Sequence, residues 1–362
     1  APPVPAAPRA PPLEEVLELA GPEASRPAPV RVCAGGDVML GSDLDSGWAL
    51  HAAQPLGRSV NRLPDPEELL RPLAPLVEDA QILLLNVEGA IGEGPVPRKC
   101  RRGSTSCYAF RQPPPAAAAL ASLPAKRVVG NLANNHALDA GPEGLEATVA
   151  HLTGAGVQVT GLDTVPTIVV TEGGDSVAFL GYSTARAGPD PRDLPAVRRH
   201  VARAKEITPR VVVTMHMGAE GAGAQRTLDT SETFLGEDRG NVVAFARAAV
   251  AVGASFVVGH GPHVMRAGEW VGDALILYSL GNLLTYGPFR LSDPLNRGAI
   301  ACVDLDPAGR VANALLRSTW QRPPGLIEPD PTGRAAWLVD SLSRLDFPES
   351  GVKLRGEARI ER

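Results

Sequence analysis

Lysine is almost absent from this chain: among 35 basic residues only Lys99, Lys126, Lys205 and Lys353 are lysine. With the abundant alanine, proline and glycine, that reads as a bias of coding composition, not as chemistry. Excess positive charge is missing too. The net charge of the 362 residues is −5 and the pI is near 5.9, which excludes nucleic acid as the expected partner because such domains are usually strongly basic. No run approaches the roughly 20 apolar residues needed to span a bilayer. No secretory signal is visible, and the opening Ala-Pro-Pro-Val-Pro-Ala-Ala-Pro reads as a processed start. Cysteine is scarce, with four residues. Cys33 and Cys302 lie in apolar strand-like runs and are expected as buried small hydrophobes. Cys100 and Cys107 bracket a polar loop, where a short disulfide would form in an oxidising compartment. Zinc ligation by that pair alone lacks the second pair such a site needs.

What is present is an alternation of apolar runs and helical patterns. Residues 1–29 are a proline- and alanine-rich arm, residues 30–346 a folded domain, and residues 347–362 a polar, peripheral tail. Strands are expected at residues 30–34, 82–85, 127–130, 157–159, 211–214 and 256–258. Helices are expected over residues 66–80, 142–153, 241–252 and 334–345, with Gly154 stopping the second. Residues 167–171 and 176–180 form one expected hairpin, and residues 267–271 and 274–278 another. Further strand-like runs lie at residues 299–305 and 311–318. This pattern implies an α/β fold, mainly parallel, with antiparallel strands toward the edges.

Polar, metal-competent residues stand just beyond several of these strands. Asp37 follows the first, Glu88 the second, and Asn134, Asn135 and His136 the third. His216 follows residues 211–214, and His260 and His263 follow residues 256–258. Each has an ordinary explanation, since Asp forms turns and Asn caps helices. Together they outnumber what capping explains, and in open α/β sheets ligands gather at the carboxyl ends of strands. Carboxylate, amide oxygen and imidazole suit zinc, manganese or iron(II), held as one ion or as two.

The ordered motifs Gly36-Asp37-Val38-Met39-Leu40-Gly41, Asn86-Val87-Glu88-Gly89, Ala133-Asn134-Asn135-His136-Ala137-Leu138-Asp139, His216-Met217-Gly218, Gly259-His260-Gly261-Pro262-His263 and Tyr278-Ser279-Leu280-Gly281-Asn282 resemble the bacterial capsule synthesis family CapA. That family is associated with poly-γ-glutamate capsules and is related to calcineurin-like metallophosphoesterases. The resemblance implies a layered α-β-β-α sandwich of mixed sheets with its site at strand carboxyl ends. It implies metal ligands Asp37, Glu88, Asn135, His216, His260 and His263, with His136 as acid toward the substrate. Two positions depart from the metallophosphoesterase pattern. Met39 stands where an imidazole is expected, and a thioether prefers soft metals. The final histidines are separated by two residues instead of one, so one metal position is weak, empty or completed by Asp43 or Asp45.

The implied activity is hydrolysis in the synthesis or processing of an extracytoplasmic polymer, poly-γ-glutamate-like, by a protein whose signal or anchor has been removed. An anionic polymer or its precursor is the expected partner, with capsule-synthesis membrane proteins alongside. Two alternatives stand beside it: a non-hydrolytic polymer-binding or export component, and a phosphodiesterase or phosphomonoesterase. Residues 94–138 contain no acidic residue but carry Arg98, Lys99, Arg101, Arg102, Arg111, Lys126 and Arg127. They form either a solvated loop or a basic rim, in which Arg101 and Arg102 would fork onto carboxylate or phosphate. Asn134, Tyr278 and Asn282 complete the expected substrate-binding set.

Overall fold

Apolar runs with a two-residue period become the strands of two sheets in a computed structural model, which describes residues 28–42, 65–95, 99–100, 107–287, 289–356 and 358–362. The first sheet runs in the order β19 (Lys353–Arg355), β20 (Arg359–Glu361), β17 (Val311–Arg322), β16 (Arg297–Leu305), β1 (Val30–Met39), β2 (Ile82–Val87), β5 (Val128–Asn131) and β6 (Gln158–Thr160). To it β15 (Asn282–Thr285) adds beside β1, and β18 (Leu326–Pro329) beside β17. The second runs β13 (Gly268–Val271), β14 (Ala274–Leu277), β12 (Phe256–His260), β9 (Val211–His216), β8 (Ser176–Ser183) and β7 (Thr167–Val170). Two small ribbons, β3 (Ala90–Ile91) with β4 (Arg111–Gln112) and β10 (Glu232–Phe234) with β11 (Glu237–Gly240), border the site. Both large sheets mix parallel and antiparallel pairs.

Alternate residues of each strand face opposite layers. Val32, Leu84 and Val129 of the first sheet meet Phe179, Val212 and Phe256 of the second in a dry core between the sheets. Their neighbours Cys33, Leu83 and Leu85 turn outward, onto α1 (Pro66–Leu70), α2 (Ala74–Val77), α3 (Pro115–Ala121) and α4 (Gly141–Gly154). On the far side Leu180, Val213 and Val257 pack against α5 (Leu194–Ile207) and α6 (Val242–Val250). The last helix, α7 (Arg334–Asp346), feeds Val339 into the inter-sheet core and Leu342 into the outer one. The architecture is therefore α-β-β-α, as the motif resemblance implied.

Several local expectations are refined. Residues 66–80 do not form one helix: Pro72 and Pro75 withhold backbone donors, and a 3-10 turn at Arg71–Leu73 separates α1 from α2. The polar C-terminal residues supply β19 and β20 at the outer edge of the first sheet. Cys33 and Cys302, expected as separate hydrophobes, face each other across β1 and β16 and form a disulfide with Cα atoms 4.0 Å apart. Cys100 and Cys107 are also bonded.

One strand changes partner midway, and this positions the site. The first half of β1 pairs antiparallel with β16, while Asp37–Met39 pair in parallel with β15. Gly36 permits the exchange, because a Cβ there would lie 2.1 Å from the Gly281 carbonyl oxygen. The Asp37 amide donates to that same oxygen at 3.1 Å.

Candidate metal centre

Parallel pairing in register brings the ends of several strands to one place. His216 and His260 are opposite each other on β9 and β12, and Asp37 lies opposite Asn86 on β2, two residues before Glu88. The loop beyond β12 then turns sharply, with His263 in the left-handed region at φ +58°, a conformation that costs a non-glycine residue energy and recurs at functional sites.

Glu88 is the centre of the cluster. Its Oε1 is buried without a hydrogen-bond partner, yet three imidazole Nε2 atoms stand around it: His216 and His263 at 3.8 Å and His136 at 3.9 Å. Asp37 lies behind, with Oδ1 3.5 Å from His260 Nδ1 and Oδ2 3.0 Å from His263 Nδ1. Asn86 Nδ2 donates to Asp37 Oδ1 at 2.7 Å. Asn282 Oδ1 stands 2.9 Å from His263 Nδ1, which fixes that ring.

The electrostatics follow from crowding charge among buried side chains. Burial, reinforced by Asp37, pushes Glu88 well above the usual carboxylate range. Burial also acts on Asp37, but His260 and His263 overcome it and hold Asp37 well below that range. Burial would depress His263, yet Glu88 and Asp37 push it up to about 10. His216 is driven well down by burial.

The donor set fits a divalent ion. Buried polar atoms are normally hydrogen-bonded, but Asp37 Oδ2, Glu88 Oε1, Asn135 Oδ1, His216 Nε2 and both ring nitrogens of His260 are not. Two metal–ligand bonds of ~2.1 Å span at most ~4.2 Å, and the separations around Glu88 lie inside that reach. Ligand atoms of Asp37, Glu88 and His263 lie within 4.8 Å of one another, close enough to hold an ion. Met39 borders the same cavity, but its sulfur accepts from the Gly41 amide at 3.1 Å.

His136 is held differently. Its Nδ1 lies 2.7 Å from Asp139 Oδ2, leaving Nε2 to face Glu88. Burial lowers its pKa and Asp139 opposes that shift. Lys99 Nζ donates to Asp139 Oδ1 at 2.8 Å, and the Phe110 ring packs on the imidazole at 4.2 Å between centroids.

Two adjoining hollows lie over the cluster. A deep one of about 190 Å³ is bordered by Glu88, His136, Glu220, His263 and Asn282. A wider groove of about 770 Å³ continues past His136, Asn135 and Lys99 to Arg186, Arg192 and Arg239.

The other expected substrate contacts are placed elsewhere. Asn134 is fully buried and spends its amide on Asn86 Oδ1, the Val87 carbonyl and the His136 amide. Tyr278 is buried against Phe347 and donates to Glu269 Oε1 at 2.6 Å, in the layer behind the second sheet. Of the basic segment, Lys126 and Arg127 border a separate hollow beside Val128, where β5 begins, and Arg111 turns to the Gly94 carbonyl. Lys99 reaches the site, while Arg98, Arg101, Arg102, Asp43 and Asp45 lie outside the described residues. The sequence does not single out Glu220, the orienting role of Asp139 or the groove arginines. Glu220 carried one signal, its place four residues after His216.

Comparison with known proteins shows the family. Residues 31–286 match the family described as bacterial capsule synthesis protein PGA_cap. A probable polyglutamine synthesis accessory protein of Mycobacterium tuberculosis (strain H37Rv) is 30% identical over 311 residues, covering 72% of this chain and 76% of that protein. The PGA biosynthesis protein CapA of Bacillus subtilis (strain 168) is 27% identical over 170 residues, covering 42% of this chain and 41% of that one. A 5′-nucleotidase precursor from Thermus thermophilus superposes with a TM-score of 0.37 at 13% identity, covering 88% of this chain and 59% of that structure. Nothing about activity follows from a likeness at that level.

Proposed function

The chain belongs to the PGA_cap family of bacterial capsule synthesis proteins, and on that premise we propose that it is a metal-dependent hydrolase acting on an anionic extracellular polymer or its precursor during capsule synthesis. The observation that carries this reading is Glu88 Oε1, buried, unpartnered and ringed by three imidazole nitrogens. Asp37, Glu88, Asn135, His216, His260 and His263 would hold zinc, manganese or iron, as one ion or two. Such an ion supplies Lewis acidity and lowers the pKa of water.

The remaining work falls to the protein's own side chains. Asp139 holds His136 Nδ1 and partly offsets the burial that lowers the ring's pKa, orienting Nε2 to deliver a proton to the leaving group when the ring is charged. Phe110 shields that ring from solvent. In the groove, Arg186 is exposed toward solvent and suits a carboxylate or phosphate along a polymer. The names of the two relatives, polyglutamine synthesis accessory protein and PGA biosynthesis protein, favour a poly-γ-glutamate-like polymer. Two disulfides suit an oxidising, extracytoplasmic setting, and no helix among the described residues is long and apolar enough to cross a membrane.

Elemental analysis of purified protein, followed by assays on poly-γ-glutamate, cell-wall fragments and generic phosphodiesters, tests this. We expect near-stoichiometric metal that Glu88→Ala and His260→Ala abolish with circular dichroism unchanged. A metal-free protein that binds polyanions through the groove would replace the enzyme with a polymer-binding component.

A further inference from the structure

Met39 borders the deep hollow but brings no hard ligand to it, and the same hollow is bordered by a carboxylate that neither the motifs nor the family match assigns. Glu220 lies four residues past the end of β9, its side chain only 16% exposed. Its Oε1 pairs with Arg239, while Oε2 points to His263 Nε2 at 3.9 Å. That nitrogen is also 3.8 Å from Glu88 Oε1. His263 thus stands between two carboxylates that border the same deep hollow.

The loop is built to keep Glu220 there. The Gly218 amide donates to the Arg239 carbonyl at 2.9 Å, and the Gly221 amide to the Pro262 carbonyl at 3.0 Å. The second bond ties this loop directly to the turn that carries His263. The Ala219 amide donates to Glu232 Oε2, and buried Arg266 bridges Glu232 and the Ala219 carbonyl. Ligands held by such supports meet an ion without reorganisation.

We propose that Glu220 is a metal-site carboxylate, supplying from the loop after β9 a further hard ligand at the ion position shared by Glu88 and His263. Arg239 then serves as its positioning partner, holding Oε1 and leaving Oε2 for the ion. This inference rests on the metal reading above, and it is tested apart from it.

The full chain, stripped with chelator, is titrated with Zn²⁺ and Mn²⁺ against a competing indicator, and Co²⁺ is added to record the visible spectrum. Glu220→Gln is expected to weaken one ion by roughly 10–100-fold and to change the cobalt spectrum. Glu237→Gln, which removes the exposed carboxylate on the other side of Arg239, is expected to change neither. Should Glu220→Gln fail to fold, Glu220→Asp keeps the charge beside Arg239 but shortens its reach, and is expected to weaken the same ion. Wild-type affinity and spectrum in a folded Glu220 variant would overturn the assignment and leave the metal reading standing. A wild-type chain that binds none of the three ions would overturn both.

Discussion

Two groups of potential metal ligands lie on β1 and its neighbours, and they have opposite fates. Cys33, Asp79 and Cys302 converge on one side, Asp37, Glu88 and His263 on the other. In the first group every valence is spent. The sulfurs are bonded to each other, and Asp79 accepts from Arg31 and from Arg317 at 2.6 Å each. In the second, Asp37 Oδ2 and Glu88 Oε1 are buried acceptors left without a hydrogen-bond partner. A satisfied buried network stabilises a fold, whereas an unsatisfied one costs stability and persists where a ligand completes it. Proximity of ligand types alone did not separate the two; the bookkeeping of donors and acceptors did.

Breaking the satisfied group should cost stability and leave metal content untouched. The largest effect is expected from removing the Cys33–Cys302 bond, which joins residues 269 apart in sequence. Loop-closure entropy puts the loss in Cys33→Ala/Cys302→Ala at about 5–6 kcal/mol, read by chemical denaturation, with bound metal unchanged by elemental analysis. Loss of metal in that variant would erase the distinction between the groups.

Perturbing the surroundings of the unsatisfied group should instead spare stability and lower turnover. Asp139→Asn removes the carboxylate that orients His136. Turnover of whichever substrate the wild type cleaves is expected to fall about 10–100-fold, with ion content and denaturation midpoint retained. An unaffected rate would remove His136 from proton transfer as described.

The smallest effect concerns Asp79, which is partly exposed. Arg317 and Arg31 beside it outweigh its burial and lower its pKa to about 2. A depressed carboxylate adds stability above its unfolded pKa and loses it as pH falls through the folded one. Wild type should therefore exceed Asp79→Asn by at most about 1 kcal/mol near neutrality, with the gap closing between pH 4 and pH 2 in paired denaturation curves. A gap that stays constant over that window would sink the ion-pair account.

Much of the fold is legible in the residues themselves. The β-branched runs at residues 211–214 and 256–258 read as strands because both faces of those strands are buried, and His216 and His260 announce the site by standing at their ends. The two-sheet division is not legible in periodicity, because β1 chooses partners at Asn282 and at Arg297 that no local pattern reveals. The Cys33–Cys302 bond escapes for the same reason: each residue alone looks like a small apolar side chain. Tyr278 and Asn134 sit in motifs near the site, yet motif membership says nothing of which way a side chain turns. Glu220 and Arg239 lie on a loop and a short ribbon whose sequences carry no period at all.

The partner exchange in β1 has a consequence for how the chain can be cut. The family match ends at residue 286, yet the antiparallel partner of Val30–Gly35 begins only at Arg297. A fragment stopped at the family boundary would turn a central strand into a bare edge, an open template for association with other chains. It would also lack the residue to which Cys33 is bonded. The stretch that carries the recognisable motifs therefore leaves the first sheet incomplete. Asp37 pairs with Asn282, so its surroundings close only once a strand far along the chain is in place, a high-contact-order assembly that is intrinsically slow.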